Sequence, residues 1–170
     1  MNTRIMAGAF LTYQNKVLLL KRSMNKKLAP GLWSCTGGHL EHEEVENPRQ
    51  LNHKAAIYRE IEEETGISQN DILTLDLRYI ITRVSREEEN QEIRVVYNYM
   101  GKLTREFEPP FCDEGVFHWV DMNDKQNIFD LPMSFSVKEI VKHWLNNPDD
   151  KNIYLVGINK DNNKSVFTEV

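Results

Sequence analysis

The 170-residue chain is poor in several things that would each commit it to a class. It has two cysteines, Cys35 and Cys112, with no CxxC spacing, so there is no disulfide framework, and reduced thiols in a reducing cytosol are expected. No apolar run approaches the roughly 20 residues needed to span a bilayer, and no basic segment followed by a long apolar run marks a signal peptide. Basic residues are outnumbered, 21 to 26, for a net charge of −5, and no basic patch dominates. That balance excludes a protein that coats nucleic acid or rests on an acidic membrane, but not one with a phosphorylated substrate. There is no internal repeat or low-complexity segment. What remains, 40% hydrophobic and 28% charged residues in a length comfortable for one domain, describes an ordinary soluble globular chain, expected to be cytoplasmic.

The most informative stretch runs from 37 to 67, GGHLEHEEVENPRQLNHKAAIYREIEEETGI. At roughly 100° per helical residue, Glu60, Glu63 and Glu64 fall within about a third of the helix circumference. Carboxylates crowded on one stripe repel each other, and a hard divalent cation with oxygen ligands is the usual remedy. A solvated acidic face is the bland alternative, although Ile57, Tyr58 and Ile61 give the helix an apolar face that docks it on a core. Arg59 precedes Glu63 by one turn and can pair with it.

Gly38, five residues, Glu44 and then Arg59-Glu60-Ile61-x-Glu63-Glu64-x-Gly66-Ile67 resembles the signature box of the Nudix hydrolases. The REUxEExGU half, with U aliphatic, matches at every specified position. The family box places seven residues between the first Glu and the Arg, whereas fourteen separate Glu44 from Arg59 here. Seven extra residues are close to two helical turns, so the expectation is a lengthened helix start, with Asn47 as N-cap and Pro48 in the first turn. That departure bears on Glu44 more than on the other acids.

The resemblance implies a mixed β-sheet sandwiched between helices in an α/β (α+β) Nudix fold, covering residues 1–147, with 148–170 as a C-terminal β-hairpin extension. It implies hydrolysis of a nucleoside diphosphate linked to another group, with Mg²⁺, or Mn²⁺ as a substitute. Gly37 (by its carbonyl), Glu44, Glu60, Glu63 and Glu64 are the implied metal ligands. Glu63 or Glu60 is the implied general base, and Arg59 positions the carboxylates. Arg22, at the end of an apolar strand, is the implied phosphate contact. Asp113 and Glu114, in the loop before a Trp-bearing strand, are further acids for the substrate side; Glu108 is an outsider. Trp33 reads as core or pocket wall. Thr36 stands where proline is common, a departure expected to be tolerated.

Residues 4–13 and 17–22 read as two strands around a tight turn, 32–36 as a short strand, 72–84 and 91–103 as a long hairpin with a charged tip at Glu87 to Glu89, and VFHWV as a strand. Residues 134–147 carry apolar positions at helical spacing, with Ser134 or Ser136 as cap. The tail reads as a final hairpin that pairs with the main sheet or with a second subunit, and the oligomeric state stays open between monomer and homodimer. His39, His42 and His53 match no common zinc spacing. The region EGVFHWVD…LPMS resembles MutT-type enzymes acting on oxidised nucleoside triphosphates; ADP-ribose and dinucleoside polyphosphates are alternatives. Of two rivals, a nucleotide-sensing module usually loses box glutamates, and this chain has lost none. An isopentenyl-diphosphate isomerase would need its cysteine elsewhere than Cys35.

Overall fold

A computed structural model describes residues 2–45, 52–87, 90–159 and 164–170. The expected Asn47–Pro48 cap and the hairpin tip at Glu88 and Glu89, with the Glu87 side chain, lie outside the described residues.

Among the described residues, nine strands form one mixed sheet with helices on both faces. The opening hairpin joins β1 (Asn2–Tyr13) to β2 (Lys16–Arg22) through Gln14-Asn15. Leu18–Leu20 is buried on both faces, as its unbroken apolar run requires. The expected strand at 32–36 is two short ones, β3 (Trp33–Ser34) on β2 and β4 (Thr36–His39) on β1, so the chain changes partner at Cys35. The long hairpin is β5 (Ile72–Glu87) and β6 (Asn90–Leu103), with β6 parallel to β1. β7 (Gly115–Asp121) pairs with β2. The tail forms β8 (Tyr154–Asn159) and β9 (Lys164–Glu169). β8 lies parallel to β5 and so extends the main sheet, giving the order β3-β2-β1-β6-β5-β8-β9.

A single turn, α1 (His42–Val45), precedes α2 (His53–Thr65). The helix start is not lengthened. α2 begins at His53, where the Asn52 side chain accepts from the Ala55 N–H at 3.1 Å and satisfies one of the unpaired first-turn amides. The insertion is thus taken up before the helix. Gly66 ends α2 at φ 70°, its N–H bonded to the Glu62 carbonyl, a left-handed cap that glycine adopts without steric cost.

α2 buries Ala56, Ile57 and Ile61 on one sheet face against Ala7, Ala9, Leu11, Tyr99 and Leu75. Two further helices cover the other face. α3 (Lys125–Asp130), absent from the sequence reading, buries only Ile128; α4 (Phe135–Asn146) buries Ile140, Val141, Trp144 and Leu145. Ser134 occupies the N-cap position of α4, yet its hydroxyl lies 3.5 Å from that of Ser136 and caps no helix amide. The C-terminal hairpin is docked by aromatic rings: His143 of α4 stacks on Phe167 of β9 at 4.5 Å and meets the Tyr79 hydroxyl at 2.9 Å. Arg78 ties the preceding loop to the sheet, donating from Nε to the Asn152 carbonyl at 2.9 Å.

Candidate active site

β4 and α2 face each other across the edge of the core, and glycine makes the approach possible. Gly37 sits at φ +145°, where a Cβ would lie 2.2 Å from the Ala7 carbonyl oxygen. At Gly38 a Cβ would fall 2.3 Å from Glu60 Oε1, so the glycine leaves the space that the Glu60 carboxylate fills. The Gly37 N–H is spent on Glu64 Oε2 at 3.1 Å, and the His39 carbonyl accepts from Arg59 Nη2 at 3.1 Å. The strand therefore turns backbone groups toward the helix.

The acids of α2 fan out from that contact. Glu64 is buried, 8% exposed, and accepts from the Thr36 hydroxyl as well as from Gly37. Burial pushes its carboxyl up to about 7, against the lowering effect of those two hydrogen bonds, and the charges of Glu60 and Glu114 add to the rise. Glu60 is also raised, first by burial and then by Glu63 and Glu44, with Arg59 opposing. Glu63 stands farther out than Glu60 and Glu64, its side chain 57% exposed.

Arg59 gathers the outer acids. Its Nη1 reaches Glu60 at 3.0 Å and Glu63 at 3.1 Å, and Nε and Nη2 bind Glu44 at 3.1 and 3.2 Å. Glu44 also accepts from the Glu41 amide at 2.7 Å; burial favours its neutral form, but the Arg59 and amide hydrogen bonds outweigh that and hold its carboxyl low. The hydrogen bond to Glu44 holds the Arg59 guanidinium well above its usual range, against burial and with Glu60 assisting. Three carboxylates around one fork-shaped cation would repel each other without it. Among the described residues no three His, Cys, Asp or Glu side chains already surround a common point as ligands. The donors Arg59 holds are nonetheless all hard oxygens beside a glycine strand, a set that fits a Mg²⁺-class ion rather than a soft metal.

A second cluster lies where β2 ends and β7 begins. Arg22 Nη1 is 3.3 Å from one Glu114 oxygen, and Lys26 Nζ donates to the other at 2.6 Å. Arg22 Nε also bonds the Leu28 carbonyl at 3.2 Å, and the Glu114 carbonyl accepts from the Ser23 amide at 2.8 Å, so the 23–31 loop is tied to β7. Asp113 and Glu108 are exposed, with no side-chain partner among the described residues. Trp33 is half-buried, its amide bonded to the Pro132 carbonyl and its ring tilted against His118 at 5.1 Å. His53 stacks on Tyr97 at 4.1 Å and bonds the Tyr99 hydroxyl. Two contributors were missed in the sequence: Thr36, read as a harmless departure, and Lys26, which has no motif of its own.

A family model for the NUDIX domain matches residues 2–152. The chain belongs to the Nudix family. No curated protein matches it by sequence. Among solved structures it resembles a mutator MutT protein from Bacillus halodurans at 22% identity and a TM-score of 0.68, covering 98% of this chain and 97% of that one. The NUDIX domain of Shewanella oneidensis NrtR, solved with ADP ribose, shares 17% identity at a TM-score of 0.62, with 87% and 90% covered. The Escherichia coli dihydroneopterin triphosphate pyrophosphohydrolase shares 19% at 0.62, with 84% and 95% covered. At these identities the likeness is one of fold. Nudix membership makes the chain a pyrophosphohydrolase, in a family that acts on small nucleotide-linked substrates and generally uses divalent metal ions.

Proposed function

We propose that this Nudix hydrolase uses Mg²⁺, with Mn²⁺ as a substitute, to cleave a nucleoside triphosphate, ordinary or oxidised, to the monophosphate and pyrophosphate. The observation that carries the reading is the convergence of Glu44, Glu60 and Glu63 on Arg59 beside the Gly37–Gly38 strand. In this reading Glu44, Glu60, Glu63 and Glu64, with the Gly37 carbonyl, hold the metal. When bound, the ion lowers the pKa of a water and offsets charge on the phosphate oxygens. Glu63 or Glu60 takes the proton of the attacking water; the raised, half-buried Glu60 and the exposed Glu63 are the two candidates. Arg59 orients three carboxylates at once and is a positioning residue. Thr36 and the Gly37 amide fix the Glu64 carboxylate that faces the strand.

The Arg22–Glu114–Lys26 cluster supplies the substrate side. Two cations sharing one carboxylate can exchange it for phosphate oxygens, Arg22 through its planar fork and Lys26 as a point charge. Trp33 walls the pocket, and Asp113 is the outermost acid available to the substrate. ADP-ribose hydrolysis is the second reading, favoured by the likeness to a NUDIX domain solved with ADP ribose. The pairing of β8 with β5 supports reading 148–170 as an extension of the same domain. A cytoplasmic location fits two free thiols, one of them pushed up to about 12 by burial, and among the described residues no helix is long and apolar enough to cross a membrane.

Incubation with Mg²⁺ and a panel of nucleotides, resolving the products, tests the proposal. Nucleoside monophosphate plus pyrophosphate from triphosphates is the expected pattern. AMP plus a ribose phosphate from ADP-ribose, with triphosphates untouched, would favour the second reading.

A further inference from the structure

On the side of the sheet away from α2, a cleft of about 510 Å³ opens where α4 ends. Strand register assembles its wall: Thr12, Lys102 and Thr74 stand in one row, with Met100 and Asp76 in the next. A bulge in β5 adds the buried part. Arg78 is the extra residue between the Leu77–Tyr99 and Tyr79–Asn98 pairs, so it follows Thr74 and Asp76 to the α4 side while Tyr79 also joins the core there. Arg78 lines the cleft and is only 6% exposed. Among the described residues only its Nε has an acceptor, the Asn152 carbonyl at 2.9 Å. Nη2 is shut away from solvent with no hydrogen-bond partner. The Asp150 carboxylate does not fill that role. Its Oδ1 is 3.8 Å from Nη2, beyond hydrogen-bond reach, and its oxygens already accept from the Asn152 amide at 2.9 Å and the Tyr154 hydroxyl at 2.5 Å. A buried guanidinium so short of acceptors is costly to hold, and the cleft beside it gives room for one.

We propose that this cleft is a second binding site, for a small monocarboxylate with an apolar body, its carboxylate held by the Arg78 guanidinium. A carboxylate matches the planar fork of an arginine, and charge-assisted hydrogen bonds of this kind are the strong ones. Trp144, Met100 and Pro148 line the cleft and offer apolar surface to the rest of the ligand. The volume falls within the roughly 300–1,000 Å³ of small-molecule sites, which combine such surface with a few polar anchors. The surrounding charges select a single negative charge. At the rim Lys102 and Lys151 are offset by Asp76 and Asp149, all four exposed, and Asp150 stands closer in. One carboxylate completes Arg78, whereas a phosphate dianion would meet three acids with no surplus of cations. The cleft lies across the sheet from α2, so its occupant is distinct from the nucleotide of the proposed function, and the inference does not depend on that reading.

Calorimetric titration of the full chain with benzoate, phenylacetate and hexanoate, in EDTA so that no metal occupies the α2 site, tests this. At least one of the three should bind saturably at one site per chain. Phenyl phosphate and benzyl alcohol should bind about tenfold or more weakly, since each lacks the matched charge. Thr74→Trp, at an exposed position on the mouth of the cleft, should abolish binding with circular dichroism unchanged. Arg78→Gln should weaken binding about tenfold or more. Failure of all three carboxylates to bind the wild-type chain would overturn the inference. So would binding that survives Thr74→Trp, since it must then use another cation, such as Arg22. Phenyl phosphate binding as tightly as the carboxylates would overturn the choice of a monoanion.

Discussion

The α2-facing surface of the sheet has two ends of opposite character. Beside β4, Glu60 fills the space at Gly38 and Glu64 turns inward to the Gly37 amide, while Arg59 bonds Glu44, Glu60 and Glu63. Beyond β6, Thr82, Gly157 and Val166 form one register row and Ile80, Leu155 and Thr168 the next, and neither contains a charge. One end concentrates a repulsion that only a cation relieves; the other concentrates none. Burial of apolar residues explains most of this fold, but it does not explain the acidic end. The acidic end fits the proposed function, in which an ion and its phosphates would sit among those carboxylates.

The sharpest way to break the comparison is to discharge the first end. Glu60→Gln and Glu63→Gln should each retain the fold by circular dichroism while turnover drops about 10²–10⁴-fold, the range lost with a general base. Next in size is Arg59→Ala. It frees three carboxylates to repel each other, and turnover should fall about 10–100-fold with a higher apparent requirement for metal, as when a ligand-orienting partner is removed. Arg59→Lys should restore only part, because one ammonium cannot reproduce the fork that binds Glu44, Glu60 and Glu63 together.

The second end is sharpened through its support. Phe167→Ala removes the ring that stacks on His143 and should cost about 2 kcal/mol in denaturant unfolding, with little change in turnover at low temperature. A smaller effect is expected from pH. Burial chiefly, with Arg78 assisting and Asp150 opposing, holds His143 below its ordinary 6.5. Folding thus favours the neutral ring. The stability this contributes is present above 6.5 and is lost as pH falls from there through the lower folded value. His39 and His53 are lowered as well and act in the same direction. The urea midpoint should therefore fall on acidification below 6.5, and His143→Gln should reduce that dependence without abolishing it.

How much of this could be read in advance depends on how local the signal is. The α2 acids, Arg59 and the Gly66 cap are fixed by helical spacing and a short motif, and their placement was legible. The start of α2 was not, because Asn47-Pro48 is as good a start signal as Asn52 and only the packing onto β4 decides between them. Lys26 meets Glu114 across 88 residues of sequence, and Thr36 meets Glu64 across 28, so neither partner is visible until the sheet is assembled. α3 has a single buried side chain, too little for a periodic pattern. The strands of the tail were legible, while the parallel pairing of β8 with β5 joins distant segments and shows only once the sheet is assembled.

Thermal unfolding under a Mg²⁺ titration addresses the claim about the acidic end most directly. A ligand that binds only the folded state stabilises it by about 2.7 kcal/mol at a hundredfold excess over its dissociation constant. Wild-type protein should show a saturable rise in Tm with Mg²⁺, and the Glu60→Gln, Glu63→Gln double variant should show none. An equal rise in both proteins, or none in either, would contradict the account.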